Sequence, residues 1–128
     1  MFDHASIRVS DVERSIDFYT RLMGLKVLSR REIKANSAEI VFLRDPKCEG
    51  CTLELTFYRS QNKFLQPAYE ERLFDHLAFV VQSMDQTIAA LRKENVTITD
   101  EPFKLAPNGA TIAFIEDPDG TLIELIEK

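Results

Sequence analysis

Apolar and polar positions alternate along several short stretches of this chain, and in two places the alternation gives way to a period of three to four residues. His4-Ala-Ser-Ile-Arg-Val9 alternates as a strand does. Val12, Ile16, Tyr19 and Met23 then recur at helical steps and predict a helix with one apolar stripe, for which Asp11 is a suitable N-cap. Gly24 to Leu28, Ala38 to Leu43 and Thr52 to Phe57 read as three further strands. The same order then returns. His76 to Val81 predicts a strand, and Ser83 caps a helix whose stripe is Met84, Ile88 and Leu91, with Gln86 at the capping-box spacing. Val96 to Thr99, Ala110 to Ile115 and Thr121 to Ile126 predict the closing strands. Between the last two, Asp117-Pro-Asp-Gly120 sets a tight hairpin turn, because Pro fixes one φ angle and Gly is free to take a positive one.

The two series are copies of one another at an offset of 72 residues, His4 to His76. The expected fold is therefore α+β, built from two tandem βαβββ modules. The first covers 1–58 and the second 73–128, joined by a connector over 59–72 whose Phe64 and Leu65 are expected to pack. Together they make one domain over 1–128, long enough to bury about two-thirds of the surface of its unfolded form.

Charge narrows the possible partners. With 16 basic and 21 acidic residues the net charge is −5, and no basic run exists to track a phosphate backbone, so nucleic acid is excluded as a partner. No stretch approaches the ~20 apolar residues of a membrane span, and the opening Met1-Phe2-Asp3-His4 lacks the features of a signal peptide. A cytoplasmic protein with no membrane partner is expected. Cys48 and Cys51 form one C-x-x-C within a Pro- and Gly-containing turn. Without a second pair to complete a zinc ribbon, they read as two thiols or a local disulfide.

Neighbouring side chains on a strand point to opposite faces, so the face of a polar residue is legible from its neighbours two positions away. In the first strand Ala5, Ile7 and Val9 take the helix-packing face and leave His4, Ser6 and Arg8 on the other; in the fourth, Leu53, Leu55 and Phe57 lie opposite Thr52, Glu54, Thr56 and Tyr58. In the second module His76 shares a face with Ala78 and Val80, and Glu124 with Leu122 and Ile126. A carboxylate among aliphatic neighbours calls for a compensating partner, and a cation is the natural one. His4 to Glu54 is 50 residues and His76 to Glu124 is 48, each pair on the first and last strands of its module. Solvated faces, an arginine partner for Glu124 or a carbonyl partner for His76 would account for each residue singly. None predicts that the only two histidines fall at the repeat offset, each matched to a glutamate. The metal ligands expected are His4, Glu54, His76 and Glu124, a nitrogen and oxygen set suited to nickel, cobalt, zinc, iron or manganese.

These residues carry a resemblance. His4-x3-Arg8-Val-Ser-Asp-x3-Ser15-Ile-Asp-Phe-Tyr19, Gly24-Leu25, Leu53-Glu-Leu-Thr56, Asp75-His76 and Ala113-Phe-Ile-Glu-Asp-Pro-Asp-Gly120-x3-Glu124-Leu-Ile resemble the vicinal oxygen chelate superfamily. Within it the chain is similar to the glyoxalase I, or lactoylglutathione lyase, family. The resemblance implies the curved, antiparallel-rich sheets of the glyoxalase/bleomycin-resistance/dihydroxybiphenyl-dioxygenase fold. It also implies isomerisation of the hemithioacetal of methylglyoxal and a thiol, glutathione or another, to S-lactoylglutathione or a related thioester. Glu124 is then the catalytic base, with Glu54 the next candidate. The ion implied is Ni2+ or Co2+, with Zn2+ after them. The implied assembly is a homodimer in which His4 and Glu54 of one subunit meet His76 and Glu124 of the other. Arg8 matches the family's contact to the glutathione carboxylate, and Lys104 lies in the region of a second cationic contact. Where the family usually has an Asn after Glu-Leu-Thr, this chain has Phe57-Tyr58-Arg59, which brings Tyr58 into the substrate-binding set and leaves the thiol open. The competing readings are a superfamily epimerase or thiol transferase on another substrate, and a metal-free small-molecule-binding protein.

Overall fold

The repeat in the sequence is also a repeat in the backbone. The computed structural model describes residues 1–61, 63–64 and 67–128, and the chain divides into two compact units, Met1–Leu65 and Gln66–Lys128. In the first unit β1 (His4–Arg8), α1 (Val12–Asp17), β2 (Lys26–Ile33), β3 (Ala38–Arg44) and β4 (Thr52–Tyr58) follow in order, and the sheet runs β1-β4-β3-β2. In the second unit β5 (Leu77–Val80), α2 (Met84–Lys93), β6 (Ile98–Lys104), β7 (Thr111–Glu116) and β8 (Leu122–Glu127) give a sheet ordered β5-β8-β7-β6. Each unit pairs its first strand with its last in parallel and its other neighbours antiparallel. The α+β reading with two βαβββ modules stands. The parallel pairing matters for the site, because it sets Ser6 opposite Glu54 in one unit and Ala78 opposite Glu124 in the other.

The inward faces are apolar, as the alternation requires. Val9, Val41, Leu43, Leu55 and Tyr19 are buried in the first unit, and Met84, Ile88, Leu91, Ile115, Ile123 and Leu125 in the second. Burying an aliphatic side chain of this kind contributes about 1.5–3 kcal/mol. The stripe of α2 is the one the sequence predicts. That of α1 is not: Ser15 and Phe18 are buried with Val12 and Tyr19, while Ile16 and Met23 are only half-buried. Ser15 stands three residues from Val12 and so shares its face within the regular helix, and Met23 is displaced by a π-helical turn over Phe18–Leu22, in which Met23 N–H donates to Phe18 O at 3.2 Å. This wider turn rotates the following residues away from a 3.6-residue register.

Both helices carry the expected caps. Asp11 Oδ1 accepts from Arg14 N–H at 2.9 Å and Ser83 Oγ from Gln86 N–H at 3.4 Å. Glu127 adds a carboxylate that accepts from Met84 N–H at the start of α2. In the turn after β7, Gly120 has φ +84° and donates to Asp117 O at 3.0 Å, while Asp117 Oδ1 accepts from the backbones of Asp119 and Thr121.

Two strands differ from their sequence reading. β2 extends to Ile33 rather than ending at Leu28, and β6 runs Ile98–Lys104 rather than Val96 to Thr99. Both are edge strands, almost wholly exposed, so the ladder to one neighbour defines them and hydrophobic alternation does not. Pro102 sits in β6, within a shifted stretch of the register, where a missing N–H is tolerated. Beside β2, buried Glu39 accepts from Arg30 and Arg59, and Arg59 also pairs with Glu32. Glu13 and Glu39, both bonded to its guanidinium, hold Arg30 above the ordinary arginine pKa. Cys48 and Cys51 are exposed free thiols between β3 and β4. Phe64 is half-buried, and the expectation for Leu65 lies outside the described residues. Among the described residues no helix is long and apolar enough to cross a membrane.

Candidate metal centre

Each unit brings one histidine to one glutamate. His4 opens β1 and Glu54 lies in β4, and the parallel register sets His4 opposite Thr52, two residues from Glu54 on the same face. His4 Nε2 stands 3.8 Å from Glu54 Oε2. In the second unit His76, just before β5, places Nε2 3.3 Å from Glu124 Oε2 on β8. The carboxylates are the better shielded members: their side chains are 14 % and 17 % exposed, against 36 % and 32 % for the imidazoles.

The far side of each imidazole is held in the same way. His4 Nδ1 is 2.7 Å from Asp3 Oδ2 and His76 Nδ1 is 2.6 Å from Asp75 Oδ1. A carboxylate on Nδ1 draws the ring proton there and leaves the Nε2 lone pair facing the glutamate. An aromatic edge packs each ring: Phe42 meets His4 at 5.2 Å between centroids, and Phe114 meets His76 at 5.8 Å, both T-shaped. Phe42 and Phe114 stand opposite Glu54 and Glu124 in the β3–β4 and β7–β8 registers. The sequence reading did not single out Asp3, Phe42 or Phe114 as site residues, yet Asp3 and Asp75, and Phe42 and Phe114, share the offset of the histidines. That coincidence is a signal open to any reader of the repeat.

The donor set fits a divalent ion. Two ligands, each about 2.0–2.2 Å from one ion, lie roughly 3–4 Å apart, and both His–Glu separations fall in that range. The 3.8 Å separation is also too long for a hydrogen bond. Among the described residues no group of three or more His, Cys, Asp or Glu side chains gathers to hold an ion. Each unit by itself offers a nitrogen and an oxygen.

The surroundings of the two glutamates differ. Glu54 Oε1 accepts from Ser6 Oγ at 2.8 Å and from Thr56 Oγ1 at 2.7 Å, and the two hydroxyls are 2.9 Å apart. For Glu124 the polar partner among the described residues is His76.

Arg8 and Tyr58 lie in the first unit with Glu54. A cavity of about 250 Å³ is lined by Ser6, Arg8, Asn36, Glu54, Thr56 and Tyr58. Arg8 and Tyr58 also line a second cavity of about 620 Å³ together with Gln61 and Lys63. The Arg8 guanidinium sits 4.9 Å over the Tyr58 ring, which orients it without using its donors. Arg59 is paired with Glu32 and Glu39 on the β2 side. In the second unit Lys104 is exposed at the end of β6, and a cavity lined by Asp75, Asp100 and Glu116 also contains Arg72. Arg72, whose Nε is buried with no hydrogen-bond partner among the described residues, lies in the irregular stretch where periodicity carries no information.

A sequence model of the Glyoxalase/Bleomycin resistance protein/Dioxygenase superfamily matches residues 1–125. The chain is 35 % identical over 127 residues to a lactoylglutathione lyase of Escherichia coli O157:H7, covering 98 % of this chain and 90 % of that protein. A probable lactoylglutathione lyase of Vibrio cholerae is 30 % identical over 126 residues, covering 98 % and 88 %. Among solved structures, the trypanothione-dependent glyoxalase I of Leishmania major superposes with a TM-score of 0.80 at 34 % identity, over 97 % of this chain and 84 % of that one.

Proposed function

Since the chain belongs to the Glyoxalase/Bleomycin resistance protein/Dioxygenase superfamily and is a glyoxalase I-like lyase, we propose that it converts the hemithioacetal of methylglyoxal and glutathione into S-lactoylglutathione. The observation that carries this reading is the doubled His–Glu pair, each imidazole backed by a carboxylate and each glutamate facing Nε2. His4, Glu54, His76 and Glu124 hold one divalent ion in this reading, Ni2+ or Co2+ by preference and Zn2+ next. Each unit supplies two of the four ligands, and the likeness to glyoxalase I extends the reading to a homodimer. In it, His4 and Glu54 of one subunit face the partner subunit's His76 and the partner subunit's Glu124. A cytoplasmic location goes with it.

An ion held by these four residues would supply Lewis-acid polarisation of substrate oxygens. The protein's own part is proton transfer and positioning. Glu124 takes the proton from the carbon that bears sulfur and returns it to the neighbouring carbon, so that an α-hydroxy thioester results from an internal redox exchange with no external oxidant. Arg8 binds a carboxylate of the thiol, oriented by Tyr58.

The thiol is the point where a second reading has support. The Leishmania major neighbour, described as trypanothione-dependent, is about as similar to this chain as the Escherichia coli lyase, and Phe57-Tyr58-Arg59 follows Glu-Leu-Thr here. The test is to load the protein separately with Ni2+, Co2+ and Zn2+ and follow thioester absorbance from methylglyoxal with glutathione or with trypanothione. Thioester from glutathione with at least one ion is expected. Turnover with trypanothione alone moves the substrate to the second reading, and no turnover with any combination rejects the lyase assignment for this chain.

A further inference from the structure

The two half-sites are built on one plan but are not equivalent, and the difference lies in what surrounds the glutamates. In the first unit the residue opposite Glu54 in the parallel register is Ser6, and the residue two further along β4 is Thr56. Both hydroxyls bond to the same oxygen, Oε1, at 2.8 and 2.7 Å, and they stand 2.9 Å from one another, so one carboxylate oxygen is enclosed in a closed triangle. Oε2 is left as the oxygen that faces His4. In the second unit the residues at the matching positions are Ala78, opposite Glu124 in the register, and Ile126, two further along β8. Neither can donate a hydrogen bond. The glutamates are buried to nearly the same degree, at 14 % and 17 % side-chain exposure, so burial does not distinguish them.

Two hydroxyl bonds to one oxygen restrict rotation about the terminal torsion of Glu54, a broad and weakly determined torsion in a free glutamate. Resting on the metal reading above, we infer that Ser6 and Thr56 are positioning residues. They fix Glu54 as the stationary ligand, bound through Oε2, and their absence around Glu124 leaves that carboxylate free to leave the ion and carry a proton. The division of labour between two chemically identical residues is thus written in their neighbours. Supporting groups of this kind typically change metal affinity by about 10–100-fold when removed.

The test uses the full chain, freed of metal and titrated with Ni2+ by calorimetry, with turnover measured separately. Ser6→Ala, at an exposed position, and Thr56→Val, of the same shape as the residue it replaces, are expected to weaken Ni2+ binding by about tenfold or more. Ser6→Thr, which restores a hydroxyl, is expected to bind as the wild type does. The converse variant, Ala78→Ser, places a hydroxyl opposite Glu124. It is expected to lower kcat by about tenfold while Ni2+ affinity is retained or improved, the signature of a base held in place. If the wild type binds Ni2+ and both hydroxyl-deletion variants bind it equally well, the clamp is refuted while the metal centre stands. Unchanged kcat in Ala78→Ser removes the asymmetry argument. If the wild type takes up none of Ni2+, Co2+ and Zn2+, the metal reading fails and the clamp falls with it.

Discussion

Asp75 Oδ1 lies 2.6 Å from His76 Nδ1, on the side of the ring away from Glu124. Asp3 and His4 repeat this relationship at 2.7 Å. Each aspartate is largely exposed, so the pair adds little to folding stability. Its use is to fix which nitrogen carries the proton. Asp75→Asn still reaches the ring but removes the charge, and it is expected to weaken Ni2+ binding by about tenfold with the urea midpoint unchanged. Calorimetry and urea denaturation of the same preparation check both halves of that statement.

Glu124→Gln keeps an oxygen for the proposed ion and removes the proposed base. The expected result is a fall in kcat of about 100-fold or more, against a much smaller change in KM and retained metal. Glu54→Gln is expected to show the reverse emphasis, with metal loss as its main defect. Steady-state kinetics beside metal analysis of dialysed protein distinguishes the two, and a Glu124→Gln enzyme of undiminished kcat would reassign the base to Glu54.

Much of this site was legible beforehand because it rests on a repeat. His4 and His76 share an offset, and each glutamate follows at nearly the same distance, so pairing needed no coordinates. What periodicity missed has particular causes. Met23 leaves the apolar stripe because the π turn over Phe18–Leu22 breaks the 3.6-residue register, and Ser15, buried at three residues from Val12, carries no apolar signal. β2 and β6 extend beyond their alternating stretches because one hydrogen-bonded neighbour suffices for an edge strand. Arg72 lies between the repeats, where no period operates. The hydroxyl pair around Glu54 required the parallel register, since Ser6 and Thr56 are 50 residues apart and nothing local connects them.

Arg8 shares one cavity with Glu54, and its guanidinium stacks on Tyr58. Loss of a charge-assisted contact to a carboxylate costs about 1.5–3 kcal/mol, so Arg8→Ala is expected to raise KM for the hemithioacetal roughly 10–100-fold with a smaller effect on kcat. Tyr58→Leu frees the guanidinium and is expected to raise KM by a few-fold, about 0.5–1 kcal/mol. Lys104→Ala provides the comparison: Lys104 is exposed at a strand end, and the second-unit cavity is lined by Arg72. A rise in KM for Lys104→Ala as large as that for Arg8→Ala would make lysine the second anchor, and an unchanged KM would remove it.

Asp17 accepts two hydrogen bonds from Arg21 one turn on, at 2.9 and 2.8 Å, and these hold its carboxyl below the usual value of 3.8. A depressed pKa contributes stability that is complete above the unfolded value and fades as pH falls through the folded one. Asp17→Asn is therefore expected to lower the urea midpoint slightly at pH 7, with the difference from the wild type shrinking below about pH 4. A difference that grows on acidification would show that the pair does not act through charge.

Ile123 precedes Glu124 on β8, points to the opposite face, and is fully buried with Leu77 and Ile115 as its register partners. Truncating such a side chain leaves a cavity that a β-sheet cannot easily collapse, and Ile123→Ala is expected to cost about 2–5 kcal/mol, read from the urea midpoint at constant m-value. Val80, 64 % exposed on β5, makes the control, since Val80→Ala removes little buried surface and should change stability by about 0.5 kcal/mol or less. The pair also separates stability from chemistry. If Glu124 is positioned by the strand that carries it, Ile123→Ala should lose turnover in proportion to the loosening of β8 even at temperatures where it remains folded. Full activity in a folded Ile123→Ala would instead mean that the carboxylate finds its place from the ion and His76 alone.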